Sequence, residues 1–93
     1  MNTQTLCYEV TITGTVQGVG FRYATLQQAR TLKLTGWVRN CDDGSVEVLI
    51  CGEASAIQPM LGWLADGGPA TATVEQMSFA LSQQTSVEAF TIR

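Results

Sequence analysis

Gly14-Thr15-Val16-Gln17-Gly18-Val19-Gly20-Phe21-Arg22 is where the chain changes its hydrophobic period. Upstream, Tyr8, Val10 and Ile12 alternate with Glu9, Thr11 and Thr13, the repeat of a half-buried strand. Downstream, residues 21–32 contain neither Gly nor Pro and suit a helix. A strand therefore passes into a helix through a loop that holds Gly14, Gly18 and Gly20. Glycine accepts positive φ and lets the main chain come close to a ligand. Successive N–H groups in such a loop converge, and the helix start behind it has unpaired donors and a partial positive charge. The combination favours an anion, phosphate above all. Arg22, in the first helical turn, adds a planar fork of donors that matches phosphate geometry. A glycine-rich strand-to-helix loop also serves as a plain tight turn, and the loop alone leaves both readings open. It is not a nucleotide P-loop, because no Gly-Lys-Ser/Thr follows, and its glycines miss the dinucleotide spacing.

The 93 residues make one domain, 1–93, with the mostly polar residues 1–5 expected to be loose. Hydrophobic residues are 45% and charged ones 14%, a globular balance rather than a disordered one. The net charge of −3 argues against a basic face for nucleic acid or anionic lipid. No apolar run approaches the roughly 18 residues of a membrane span, and the N-terminus lacks the pattern of a signal peptide. The expectation is a cytoplasmic protein. The absence of histidine removes His nucleophiles, His bases and most zinc sites, so neither metal nor cofactor is called for. Cys7, Cys41 and Cys51 form no CxxC. A cysteine phosphatase needs Arg six positions after its Cys, where this chain has Thr13, Glu47 and Ile57.

The first strand is expected over Leu6 to Gly14 and the first helix over Phe21 to Lys33. Phe21, Ala24 or Thr25, Gln28 or Ala29, and Leu32 would face inward. A second strand follows, from Leu34 through Gly36 to Asn40, with Trp37 and Val38 as its apolar body. Cys41-Asp42-Asp43-Gly44 reads as a hairpin turn, and its two aspartates as turn residues rather than catalytic ones. The third strand, Ser45 to Cys51, alternates Val46, Val48 and Ile50 against Glu47, Leu49 and Cys51. A second helix begins near Ser55, where Ser55 and Gln58 have capping-box spacing. Ile57, Met60, Leu61 and Leu64 form one apolar stripe, interrupted by Pro59 and Gly62 and ended by Gly67-Gly68-Pro69. In the strand Val74 to Leu81, Met77, Phe79 and Leu81 alternate; Val74 breaks their parity and predicts a bulge. Residues 82–86 read as a polar loop before a short strand with Phe90 and Ile92.

The order β-α-β-β-α-β plus a tail strand is an α+β arrangement, the ferredoxin-like βαββαβ sandwich, with an antiparallel sheet and two helices on one face. Strand three then lies between strands one and two. This brings Cys7 beside Cys51 on the face away from the helices, which permits a cross-strand disulfide that a cytoplasmic setting disfavours, and whether the pair is oxidised stays open. Cys41 is left as a single thiol. The same topology sets Asn40 beside the glycine loop. Its amide either holds a water molecule near a bound phosphate or simply opens the turn.

Taken together, the motifs resemble a known family. Gly14-x-Val16-Gln17-Gly18-Val19-Gly20-Phe21-Arg22 is similar to the first signature of the acylphosphatases. Gly36-Trp37-Val38-Arg39-Asn40-x-x-x-Gly44-x-Val46, closed by Gly52, resembles the second. Gly67-Gly68-Pro69 and the ending Phe90-Thr91-Ile92-Arg93 also match, so the likeness spans nearly the whole chain. The resemblance implies hydrolysis of an acyl phosphate to a carboxylate and inorganic phosphate. It implies that Arg22 binds the phosphate and Asn40 orients the attacking water. The main chain of Thr15, Val16, Gln17, Gly18, Val19 and Gly20 would complete the cradle. The expected partners are a small acyl phosphate and inorganic phosphate, as product or competitor, with no nucleic acid and no membrane, and the expected state is a monomer. Two residues depart from the family pattern. Thr15 stands where Arg is usual, and Lys33 where many members have Gly between two leucines. A left-handed backbone at Lys33 would cost about 1 kcal/mol.

So few reactive side chains suit this substrate class. The leaving carboxylate belongs to an acid with a pKa of about 4 and departs without a proton. What remains is positioning and charge stabilisation, which an Arg, a row of N–H groups and an oriented water supply. The rival reading is a non-enzymatic ferredoxin-like binding module for small anionic ligands or RNA. An RNA reader needs aromatics on its middle strands and a basic field. Here only Tyr8 and Trp37 are candidates, Tyr8 has core parity, and the chain is acidic. A second rival is the acylphosphatase-like module of a large hydrogenase-maturation protein, but there Pro usually follows the Arg, and here Tyr23 does.

Overall fold

Alternating β-branched and aromatic residues build the first strand, and every other element is placed by it. The computed structural model describes residues 5–84 and 87–93. Its elements are β1 (Leu6–Thr15), α1 (Phe21–Thr31), β2 (Thr35–Asn40), β3 (Val46–Gly52), α2 (Ala54–Ala65), β4 (Thr73–Leu81) and β5 (Phe90–Ile92). The expected looseness of residues 1–5 falls outside the described residues, Thr5 excepted, as does the part of the 82–86 loop formed by Thr85 and Ser86.

The sheet order is β4-β1-β3-β2-β5. β3 pairs antiparallel with both β1 and β2, and β4 pairs antiparallel with β1. β5, the tail strand whose direction the sequence left open, runs parallel to β2, so the ferredoxin-like antiparallel sheet is extended into a mixed one. The reason lies in the ends of the strands. β4 finishes opposite Tyr8 near the start of β1, and the chain crosses to the start of β2, where Phe90 pairs with Gly36. A strand that begins there must run the way β2 runs.

One face of the sheet carries the main core. Val10 and Ile12 of β1, Val38 of β2 and Val46, Val48 and Ile50 of β3 pack with Phe21 and Ala29 of α1 and with Ile57, Met60 and Leu64 of α2. The buried side of α1 is Phe21, Thr25 and Ala29, which settles the two alternatives left by the sequence. Thr25 is tolerated there because its hydroxyl donates to the Phe21 carbonyl at 2.7 Å. The opposite face carries a smaller cluster of Cys7, Leu49 and Cys51, with Trp37 and Val87 packed against it. Cys7 and Cys51 are direct cross-strand partners with Cα atoms 4.1 Å apart, and their sulphurs are bonded. Cys41 is free.

Both helices end in Schellman motifs. In α2, Gly67 N–H donates to Leu64 and Gly68 N–H to Trp63, with Gly67 at φ +114°. In α1, Lys33 N–H donates to Arg30 and Leu34 N–H to Ala29, and Lys33 takes the left-handed position with φ +59°. That stops α1 at Thr31, short of the expected Lys33. At the start of α2 the Ser55–Gln58 capping box does not form. Glu53 is the N-cap, without a side-chain cap bond, and its carbonyl accepts from Ala56 and Ile57. The helix begins one residue before Ser55, which puts the serine inside the first turn, where its hydroxyl no longer faces the free N–H groups. In β4 the register shifts between Thr13 and Gly14, and Glu75 is the unpaired extra residue beside Val74. β4 is an edge strand, so Phe79 and Leu81 stay exposed in spite of their alternation.

Candidate active site

The loop from Val16 to Gly20 joins the end of β1 to α1. Gly18 and Gly20 have φ of +75° and +80°, and a Cβ at either would meet open space. Steric crowding therefore does not require glycine there; the left-handed backbone does. Among the described residues, no N–H from Val16 to Tyr23 donates to a main-chain or side-chain acceptor; the first helical bond is Ala24 N–H to the Gly20 carbonyl. Gly20 caps α1 with no side chain of its own, so the positive end of the helix stays uncovered.

Two tethers hold this loop. Gln17 Nε2 donates to the carbonyls of Cys41 at 2.8 Å and Ser45 at 2.9 Å, tying the loop to the β2–β3 hairpin. On the other side, Thr71 Oγ1 donates to the Val19 carbonyl at 2.6 Å. The hairpin is itself braced. Asp43 Oδ1 accepts from Ser45 N–H at 3.0 Å and Ser45 Oγ at 2.6 Å, and these bonds hold its carboxyl below the usual carboxylate range. Turn chemistry, not catalysis, accounts for that aspartate. Arg39, next to Asn40, faces the opposite side of the sheet and pairs with Glu47. The guanidinium, with help from the Cys41 thiol, holds the Glu47 carboxyl low.

Val16, Gly18, Gly20 and Phe21 line a concavity of about 210 Å³ together with Arg22, Tyr23, Asn40 and Ile92. Arg22 thus stands at the mouth of α1 with Asn40, the last residue of β2, across the hollow. The Arg22 guanidinium makes one long contact, Nη1 to the main-chain oxygen of Arg93 at 3.5 Å, and no ion pair with a described carboxylate. Asn40 Oδ1 is buried and has no hydrogen-bond partner among the described residues. Of the candidate residues, Val16, Gly18, Gly20, Arg22 and Asn40 come together here; Thr15, Gln17 and Val19 do not line the hollow. Thr15 pairs with Thr73 at the sheet edge, and the side chain of Gln17 is spent on the hairpin.

The acylphosphatase family model matches residues 8–92, a span that includes both the loop and the hairpin. An acylphosphatase of Yersinia pseudotuberculosis is 46% identical over 80 residues, 86% of this chain and 87% of that one. The chain belongs to the acylphosphatase family. Solved acylphosphatases share its fold. One from Coxiella burnetii superposes with a TM-score of 0.90 at 37% identity, covering 97% of this chain and 94% of that one. One from Bacillus subtilis gives 0.86 at 38% identity, covering 95% and 98%.

Three features of this acylphosphatase escape a reading of the sequence: the Gln17 clamp, the Thr71 tether, and the wall formed by Tyr23 and Ile92. The first two join residues far apart in sequence, 24 to 28 positions for the clamp and 52 for the tether. The wall requires β5 to lie beside β2, which only its parallel pairing shows. The local signal for Tyr23 was its place directly after Arg22 on an exposed turn of α1.

Proposed function

We propose that Arg22, Asn40 and the main-chain N–H groups of the Val16–Gly20 loop, without the Thr15 that β1 takes up, carry the acyl-phosphate hydrolysis that belongs to this family. In this reading the loop donors and the Arg22 guanidinium take the phosphoryl oxygens. Asn40 Oδ1 accepts a hydrogen bond from a water molecule and leaves the water's oxygen free to attack phosphorus. The bond from phosphorus to the acyl oxygen breaks, and its electron pair leaves with the carboxylate. A water proton ends on the new phosphate. Because the leaving group is a weak base, no protein acid is asked to act. The charge that develops on phosphorus is met by donors already in place.

The observation that carries the reading is the orphaned Asn40 Oδ1. A buried amide oxygen without a partner costs about 1–3 kcal/mol, and such an acceptor calls for a donor that arrives with the reaction. The test is benzoyl phosphate hydrolysis by the wild type, Arg22→Ala and Asn40→Ala, with inorganic phosphate as competitor. Arg22→Ala should lose both phosphate competition and nearly all turnover. Asn40→Ala should lose roughly 100- to 1,000-fold in kcat and keep phosphate competition. Retained turnover in Arg22→Ala would overturn the assignment. We also take the protein to act as a monomer in the cytoplasm on a small diffusing substrate. No helix of the described residues is long and apolar enough to cross a membrane. Size-exclusion chromatography with light scattering tests the monomer directly.

A further inference from the structure

Large apolar side chains in the open occur at Tyr23 (61% exposed), Phe79 (53%), Leu81 (62%) and Ile92 (41%). Phe79 and Leu81 lie together on the edge strand β4, away from the hollow. Tyr23 and Ile92 both line the concavity that holds Arg22 and Asn40. They reach it from different elements. Tyr23 stands in the first turn of α1 and Ile92 ends β5, and the two elements pack together. Neither side chain belongs to the core, to which these elements contribute Phe21, Ala29 and Phe90.

An acyl phosphate has two ends with opposite demands. The phosphoryl group needs donors, which the loop and Arg22 present. The acyl group needs a surface that does not compete for the carbonyl. We propose that Tyr23 and Ile92 form the acyl-binding wall of this site, and that the chain prefers acyl phosphates with flat aromatic or branched apolar acyl groups over acetyl phosphate. The inference rests on the phosphate reading given under Proposed function. A phosphoryl group held by the Gly18–Gly20 main chain and Arg22 leaves only the rim for the acyl group, and Tyr23 and Ile92 form that rim. A phenyl ring laid on them covers apolar surface on both partners; a methyl group covers little.

The test compares benzoyl phosphate with acetyl phosphate in the wild type, Tyr23→Ser, Ile92→Ser and, as a control, Phe79→Ser. The wild type should favour benzoyl phosphate through KM. Tyr23→Ser and Ile92→Ser should each raise KM for benzoyl phosphate by roughly 5- to 10-fold, as expected for the loss of a partly covered apolar contact. KM for acetyl phosphate should move less than about two-fold, since a methyl group reaches little of the wall. Phe79→Ser should leave the selectivity ratio unchanged. Equal KM changes for the two substrates, or none for either, would overturn the wall. The inhibition constant for inorganic phosphate reports the other reading separately. It should be the same in wild type and wall variants, and a wild type that phosphate fails to inhibit would count against the phosphate cradle, not the wall. Circular dichroism on each variant shows that the fold is kept.

Discussion

Lys33 holds φ at +59°, a conformation that glycine adopts freely and lysine does not. The position is the C′ residue of a Schellman motif, and the two bonds from Lys33 and Leu34 need the left-handed turn. A side chain there costs about 1–2 kcal/mol. Glycine would free the unfolded chain by about 0.4–1 kcal/mol, which offsets part of the gain. Lys33→Gly should therefore stabilise the protein by roughly 0.5–1 kcal/mol, read as a higher urea midpoint at unchanged slope. A lower midpoint would show that the backbone at 33 carries no strain. The same residue shows what a sequence discloses at this scale. Lys33 was legible as a departure from a pattern, and its cost depended only on a local dihedral. Ser55 and Gln58 had an equally local pattern, yet the helix started earlier and left the box empty. Arg22 and Asn40 stood out in the sequence because the first ends a contiguous motif and the second sits inside another, and both line one hollow. Tyr23 carried no such motif, and its role became visible only when β5 brought Ile92 to the same hollow.

The loop and the hairpin are two elements that behave as one because Gln17 spans them. Replacing Gln17 by Leu removes one of two donors from each carbonyl, since Gly44 N–H still donates to Cys41 and Cys41 N–H to Ser45, at about 0.5–1.5 kcal/mol of stability per bond. It should also let Asn40 drift relative to the loop, since Asn40 directly precedes the Cys41 whose carbonyl is held. Well below the unfolding midpoint, kcat should fall roughly 10- to 100-fold, while inorganic phosphate still competes. Gln17→Glu should behave alike, because a carboxylate has no N–H to donate. A variant that is merely less stable, with kcat intact, would assign Gln17 a purely structural part. The hairpin also has an acid dependence. Asp43 and Glu47 ionise below their ordinary range in the folded chain. Depressed carboxylates lend stability above the unfolded pKa of about 4 and lose it as pH falls through the folded value. Unfolding followed from pH 7 to pH 3 should show the loss beginning near pH 4, and Asp43→Asn should show less of it. Asp43 is exposed and Glu47 partly so, and solvent screening keeps the effect modest.

At the scale of the whole molecule, the Cys7–Cys51 bond closes a loop across 44 positions of sequence and fastens the two central strands of the sheet. We propose that the bond is present in the isolated, oxidised protein. Loop-closure entropy for that separation is worth about 4 kcal/mol, and measured bonds typically give about 2–4. Denaturant unfolding with and without reductant should differ by that amount, and two free thiols at these positions in unreduced protein would remove the bond. A reducing thiol pool opposes such bonds, and the fold should also hold when this one is open. The main core lies on the other face of the sheet and does not depend on the bond. Turnover should be the same in both states. EDTA should likewise leave it unchanged, since the described residues contain no cluster of His, Cys, Asp or Glu fit to hold a metal. The place of β3 between β1 and β2 was legible from the order of the elements. The parallel β5 was not, because a short strand of Phe90 and Ile92 could pair with either edge.

The parallel seating of β5 sets Ile92 beside Val38, two residues before Asn40, with Arg93 N–H donating to the Val38 carbonyl at 2.8 Å. Fraying of this three-residue strand would therefore loosen one side of the hollow while Arg22 and Asn40 stay seated on α1 and β2. Hydrogen exchange at Ile92 and Arg93 should slow when inorganic phosphate occupies the hollow.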